Sequence, residues 1–315
     1  AALGLPAVVN MSLGGHFDAH DGTDDLSAVV DEATGPGRVA VCAAGNEGED
    51  NIHAVVNVAK NATTQTRFSI PADGVPVILN GWYRASDRYS VVIESPRGSA
   101  TPLQAPILTG NPQVVFNLPE GQVVITVPGP SPVNGDMRFN IEIHPPAGGF
   151  KDGVWKLGLR GVTVKPGVAR CDIWATDFEA GSSAKFLTNS SDDMKIGSPG
   201  CAKSAVTVAS YTTRKSWVDR SGATRSVGFP AGDLSPFSSP GPLRDRSRKP
   251  DVAAPGAMII SALSADSTPE APFLVADPKF VVEAGTSMAS PFIAGVVALL
   301  LQGNPTLTPA QVKAK

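Results

Sequence analysis

Cysteine is scarce and scattered in this chain. Its three residues, Cys42, Cys171 and Cys201, form no C-x-x-C pair, which excludes a sequence-readable zinc site or disulfide framework and leaves buried free thiols as the expectation. Charge of one sign is equally lacking: 26 Lys and Arg against 29 Asp and Glu leave a net charge of −3, dispersed rather than in runs. Neither nucleic acid nor a membrane surface is therefore an indicated partner. The longest apolar run, "FIAGVVALLL", reads as too short to span a bilayer, and the first residues lack the basic, apolar and small-residue order of a signal peptide. Glycine and proline, by contrast, are plentiful, with 32 and 28 residues. They predict many turns and short elements, in a chain whose 42% hydrophobic content can fill a sizeable core.

Both ends read as cut. "AALGLPAVVNMSLGG" passes almost at once into an apolar strand with no neighbour to pair with, and "TLTPAQVKAK" opens a helix that stops within about two turns. That last helix carries a capping-box pattern, Thr308 with Gln311, and Pro309 at its first position.

Three regions differ in texture. Residues 1–53 run "AVVNMSL", "DDLSAVVDEA", "RVAVCAAG", a β-α-β order that predicts a parallel sheet, with Gly35, Pro36 and Gly37 ending the helix. Residues 54–189 lose the helix signal. Short runs such as "TRFSI", "VPVILNGWY", "YSVVIES", "QVVITV", "MRFNIEIH", "VWKLGLRG" and "RCDIWATDF" alternate with turn residues there and predict an antiparallel sandwich or jelly roll. Residues 190–315 restore the first texture, with "SAVTVASY" and "DVAAPGAMIISAL" as buried strands and an apolar helix after Ser287. The simplest account is one α/β domain interrupted by an inserted β-sandwich.

The chemistry concentrates at "EAGTSMASPFIAGVVALLLQ". A serine at a helix N-terminus has unpaired backbone N–H groups and the dipole beside it, which suits an oxyanion. Gly285 permits a sharp entry, Ala289 and Ser290 keep the first turn thin, and the apolar remainder predicts a buried helix. On this segment alone an ordinary N-cap role for Thr286 or Ser287 stands level with a catalytic one. A second segment, "VAVCAAGNEGED", leads a strand into Asn46, whose amide can donate to an oxyanion. A turn asparagine beside glycine is the plainer alternative.

Taken in order, "NMSLGG" (10–15), "AAGNEG" (43–48), "FSSPGP" with "KPDVAAPG" (237–256) and "GTSMASP" (285–291) resemble the signature segments of the subtilases, the subtilisin-like serine peptidases. The resemblance covers residues 1–53 and 190–315. It implies a subtilisin-like, three-layer parallel-sheet α/β domain, partial here, with Ser287 as nucleophile and its backbone N–H and the Asn46 side chain as oxyanion donors. It also implies that Ser12, Leu13 and Gly14 offer an edge to an extended peptide or protein substrate, and that Ala43, Ala44 and Gly45 wall the pocket for the residue before the scissile bond. Glu47, at the rim of that pocket, would favour basic or polar residues there.

The family's aspartate and histidine motifs lie upstream of the segment resembling "NMSLGG", and neither occurs in the chain. His53 and His144 fall in or beside the inserted region. His16 and His20, with Asp18 and Asp21, have metal-like spacing only if helical; Gly14, Gly15 and Gly22 predict a solvated turn instead. Calcium occurs in the family, but no ligand set is matched, so no cofactor is assigned. The place of the sandwich resembles subtilases of the clostridial Csp type. The expectation is a serine endopeptidase, secreted or extracytoplasmic by resemblance, whose residues 1–315 are inactive alone. The alternatives are a pseudoprotease scaffold, and a nicked enzyme whose N-terminal half stays bound as a partner.

Overall fold

The computed structural model describes residues 4–72, 75–165, 169–177 and 184–315. They form two compact units: one from the residues up to Gly15, His20–Glu49 and Met194–Lys315, the other from His16–Ala19 and Asp50–Asp193.

The first unit is built on a parallel sheet ordered Ala7–Met11, Arg38–Ala43, Val206–Tyr211, Val252–Pro255. Helix α1, Asp25–Ala33, makes the crossover between the first two strands. It starts where Asp24 accepts a hydrogen bond from the Ser27 backbone N–H at 2.9 Å, and it ends at the Gly35-Pro36-Gly37 turn, where Gly37 has a φ of 71°. Strand Arg38–Ala43 shows why the layers form. Its alternate residues Val39 and Val41 pack with Ala289, Val297 and Leu301 of helix α2 (Thr286–Gly303). Ala40 and Cys42 pack instead with Val30 of α1 and with Ala202 and Ala205. A strand covered on both faces reads as a continuous apolar run, as "VAVCA" does.

The structure corrects the sequence reading of α2. Thr286, Ala289, Ser290, Val297 and Leu301 are buried, but Phe292, Val296 and Leu299 lie along the opposite side at 58%, 42% and 68% exposure. Apolar residues on every side do not bury a helix of which only one side meets the sheet. The helix is also longer than the quoted run: its 18 residues, with mean hydropathy 1.5, meet the length and composition of a membrane span. Its inner side packs against all four strands of the sheet. A smaller correction concerns Ile259–Ala262, expected as a buried strand, which pairs with Phe280–Glu283 and is largely exposed. Helix α3, Pro309–Lys313, has both reciprocal bonds of its capping box: Thr308 Oγ1 accepts from Gln311 N at 3.3 Å, and Gln311 Oε1 accepts from Thr308 N at 2.9 Å.

The second unit is an antiparallel sandwich. One sheet is ordered Lys185–Phe186, Thr63–Ser69, Val154–Thr163, Arg88–Glu94; the other is ordered His53–Asn57, Arg170–Asp177, Val77–Tyr83, Met137–His144, Gly121–Thr126, Gln113–Leu118. Met137–His144 alternates without exception, with Met137, Phe139, Ile141 and Ile143 facing inward. They share one core with Phe68, Tyr89, Trp155 and Leu157 of the other sheet. Each of the seven quoted runs contributes a strand, although Phe178 of "RCDIWATDF" lies outside the described residues.

Against one edge of the sandwich is a buried ionic cluster. His53, fully buried, faces the Asp193 carbonyl through Nδ1 at 2.8 Å and Asp172 Oδ1 through Nε2 at 3.1 Å, and it stacks on Trp174 at 4.6 Å. Both facing atoms are acceptors, so the doubly protonated imidazolium is the form of the ring that satisfies both. Burial alone would push its pKa down, but the bonds to Asp172 and Asp193 outweigh burial and hold it above the ordinary value. Arg170 completes the cluster, reaching Asp172 Oδ1 from Nη2 at 2.6 Å. Cys42, Cys171 and Cys201 are all free and buried.

Candidate active site

Strand Arg38–Ala43 delivers the chain to Asn46, and the start of α2 meets it there. The Thr286 backbone N–H donates to Asn46 Oδ1 at 2.8 Å. Thr286 Oγ1 accepts from Gly45 N at 3.1 Å and lies within donating distance of Asn46 Oδ1 at 3.0 Å. With Oδ1 so occupied, the amide is oriented, and its Nδ2 has no acceptor among the described residues.

The first amides of a helix have no intrahelical acceptor. Here Thr286 N bonds Asn46, and Met288 N bonds the Gly285 carbonyl at 3.0 Å, while Ser287 N bonds no described residue. Gly285 shows where the two unpaired donors converge. A methyl group built on it would lie 3.4 Å from Asn46 Nδ2 and 3.5 Å from Ser287 N, with Asn46 Oδ1, already bonded by Thr286, at 3.6 Å. One small volume beside Ser287 is thus within reach of both N–H groups. Any side chain at position 285 would occupy it.

The first strand locks onto the same turn. Ser290 Oγ donates to Asn10 Oδ1 at 2.6 Å, Asn10 Nδ2 donates to Ser12 Oγ at 3.0 Å, and Ser12 Oγ donates to the Ser287 carbonyl at 2.8 Å. Beyond Ser12, Leu13 and Gly14 are exposed and hold no main-chain hydrogen bond to a described residue. Ala43 and Ala44 are buried; Ala44 N donates to the Val208 carbonyl at 3.0 Å, and Ala44 packs with Ile196, Cys201 and Leu243. Gly45 gives its carbonyl to Ser239 N at 3.1 Å. Glu47 Oε2 accepts from Asn46 N at 2.7 Å and from Ser239 Oγ at 2.8 Å. Thr286 received only a candidate N-cap role from the sequence, a place the structure gives to Gly285, and Ser239 received none, although both stand inside quoted segments, "GTSMASP" and "FSSPGP".

Among the described residues, no hydrogen bond joins Ser287 Oγ to a histidine. His144 pairs with Glu142 at 3.2 Å, and His53 belongs to the sandwich cluster. The segment holding His16 and His20 is a bend rather than a helix, but it is not solvated as its glycines suggest. His16, Asp18, His20 and Asp21 are each at most 7% exposed. Its buried polar groups include an ion pair, Arg244 with Asp21 at 2.9 Å, and a main-chain acceptor, the Asp18 carbonyl, to which Asn80 donates at 2.7 Å. No cluster suited to a metal ion occurs among the described residues.

Residues 180–315 match the model of the subtilase family, peptidase S8. The serine protease AprX of Bacillus subtilis (strain 168) is 37% identical over 125 residues, covering 39% of this chain and 26% of that protein. The subtilisin-like protease SBT3.4 of Arabidopsis thaliana aligns at 28% identity over 96% of the chain and 37% of its own length. Among solved structures, the CspB protease of Clostridium perfringens superposes with a TM-score of 0.75 at 25% identity, covering 98% of this chain and 60% of that one. The chain thus spans 26% and 37% of the length of the two curated relatives and 60% of the CspB chain.

Proposed function

For a chain that belongs to the subtilase family, we propose that Ser287 is the nucleophile of peptide-bond hydrolysis, with its own backbone N–H and the Asn46 side chain stabilising the oxyanion. The observation that carries this reading is the convergence of Asn46 Nδ2 and Ser287 N on one point beside Gly285. A tetrahedral intermediate on Ser287 places its oxygen where two preorganised donors reach it, and that term is the largest an acyl-transfer site offers. The unpaired main chain of Leu13 and Gly14 supports an extended peptide added as a strand beside this turn.

The base is supplied from outside these 315 residues. A serine hydroxyl needs a partner to take its proton, and no described histidine bonds Ser287 Oγ. An apolar groove of about 250 Å³ along the first strand and α1, lined by Val9, Met11, Leu26, Val29 and Ala33, supports a further layer of polypeptide at this edge. Such a layer, with the family's aspartate and histidine motifs, would complete the site. Residues 1–315 alone are then almost inactive.

The test is turnover of a peptide substrate by a polypeptide carrying both motifs upstream of residue 1. Ser287→Ala abolishes acyl-enzyme formation, and Asn46→Ala lowers kcat by about 10²–10³ at nearly unchanged KM, a magnitude measured on a subtilisin rather than on this chain. Unchanged kcat in Asn46→Ala removes Asn46 from the mechanism.

A further inference from the structure

Glu47 follows the oxyanion asparagine directly, and its carboxylate turns back onto the chain instead of outward. Oε2 accepts from the Asn46 backbone N–H at 2.7 Å and from Ser239 Oγ at 2.8 Å, while Ser239 Oγ accepts from the Glu47 backbone N–H at 3.1 Å. The ring is tied at both ends: Ser239 N donates to the Gly45 carbonyl at 3.1 Å, and Gly48 N donates to the Phe237 carbonyl at 2.8 Å. It is also tightly seated. A methyl group on Gly45 would lie 2.6 Å from Glu47 Oε2 and 2.7 Å from Ser239 Oγ, so only glycine leaves room for the clamp there. Ser239 is 1% exposed.

We propose that Glu47 and Ser239 form a clamp that positions Asn46 for oxyanion stabilisation. The proposal rests on the reading of Asn46 as an oxyanion donor. Two holds then aim the amide. Thr286 fixes its Oδ1, and the clamp fixes the backbone from which the side chain springs. A charge-assisted bond to a main-chain N–H is among the stronger single bonds available for such a task. Loss of the clamp frees the φ and ψ angles of Gly45–Glu47 and lets Nδ2 leave the point it shares with Ser287 N. Small misplacements of that kind are costly to a transition state and nearly neutral to ground-state binding.

Kinetics on the polypeptide that carries the aspartate and histidine motifs separate the roles. Glu47→Ala and Ser239→Ala each lower kcat about 10-fold, a fraction of the 10²–10³ that complete loss of such a donor costs, with KM unchanged. The loss in kcat is present whether Lys, Glu or Leu stands before the scissile bond. Glu47→Gln, which keeps an oxygen acceptor, recovers most of the rate. Because the clamp acts through Asn46, adding Glu47→Ala to Asn46→Ala costs nothing further. A loss confined to Lys substrates and expressed in KM overturns the proposal, as does additivity in the double variant. Should the wild-type polypeptide show no turnover, the proposed function fails, and NMR of the chain alone tests the clamp: the Asn46 side-chain amide becomes mobile in Glu47→Ala and Ser239→Ala and stays ordered in Glu47→Gln. Undiminished order in the alanine variants overturns it.

Discussion

Replacing His53 by Gln perturbs the sandwich at its most concentrated electrostatic point. The imidazolium lies between Asp172 and the Asp193 main chain, and its Nδ1 is 3.5 Å from Asp193 Oδ1. Removing one partner of a buried ion pair typically costs about 3–5 kcal/mol. Here part of that is spared, because Arg170 still holds Asp172 at 2.6 Å and the Asp193 side chain is 36% exposed. Loss of the stack on Trp174 restores some of the cost. About 2–4 kcal/mol is the expected result, or roughly 5–15 °C in Tm for a domain of this size. The pH dependence has a definite sign. A histidine whose folded pKa lies above its ordinary value stabilises fully below about pH 6.5, and that stability is lost as pH rises through the folded pKa. The lowered carboxyls of Asp172 and Asp193 act oppositely, contributing above the usual carboxylate range and losing their contribution in acid. Trp82, Trp155 and Trp174, three of the four tryptophans, lie in this unit, so tryptophan fluorescence reports chiefly its melting. Wild type should melt higher at pH 6 than at pH 9, and His53→Gln should melt lower at pH 6 with that difference diminished. A variant that matches wild type at pH 6, or keeps its full pH trend, shows that His53 does not carry this stability.

Two further outcomes follow from individual contacts. Thr308→Ala removes the acceptor of the capping box on α3 and costs about 1 kcal/mol locally, seen as faster hydrogen exchange over residues 309–313 with little change in global melting. Burial pushes the Cys42 thiol up to about 11, and all three thiols are buried, so a disulfide reagent at pH 8 should label none in the native chain and three after unfolding; rapid native labelling of Cys42 would contradict its burial.

Much of the fold was legible because its signals are local. The β-α-β run at the start, the capping box at Thr308 and the seven quoted strands each carry their pattern within a few residues. What escaped depends on partners distant in sequence. His53–Asn57 gives no strand signal by itself, since "HAVVN" is short and begins with a polar residue; it becomes a strand by pairing with Arg170–Asp177. Gln113–Leu118 is a sheet-edge strand, with alternating exposed and half-buried residues. The polar loop at His16–Asp21 reads as solvated because its partners, Asn80 and Arg244, lie more than 60 residues away. At the candidate site, Ser287 and Asn46 stood out by motif, yet the groups that orient Asn46 did not. Thr286, Glu47 and Ser239 acquire their roles only when segments 190 or more residues apart meet, and nothing in the run "GNEG" tells a carboxylate that turns inward from one that faces a substrate.

In the proposed reading, these residues hold a nucleophile and its oxyanion donors while the base comes from elsewhere. Labelling of Ser287 by a fluorophosphonate tests it most directly, with the chain alone set beside a polypeptide carrying the aspartate and histidine motifs upstream. Efficient labelling at Ser287 only in the longer polypeptide is the predicted result, since loss of either the aspartate or the histidine costs on the order of 10⁴–10⁶ in turnover. Equal labelling of the chain alone would place a functioning base within residues 1–315 and contradict the account.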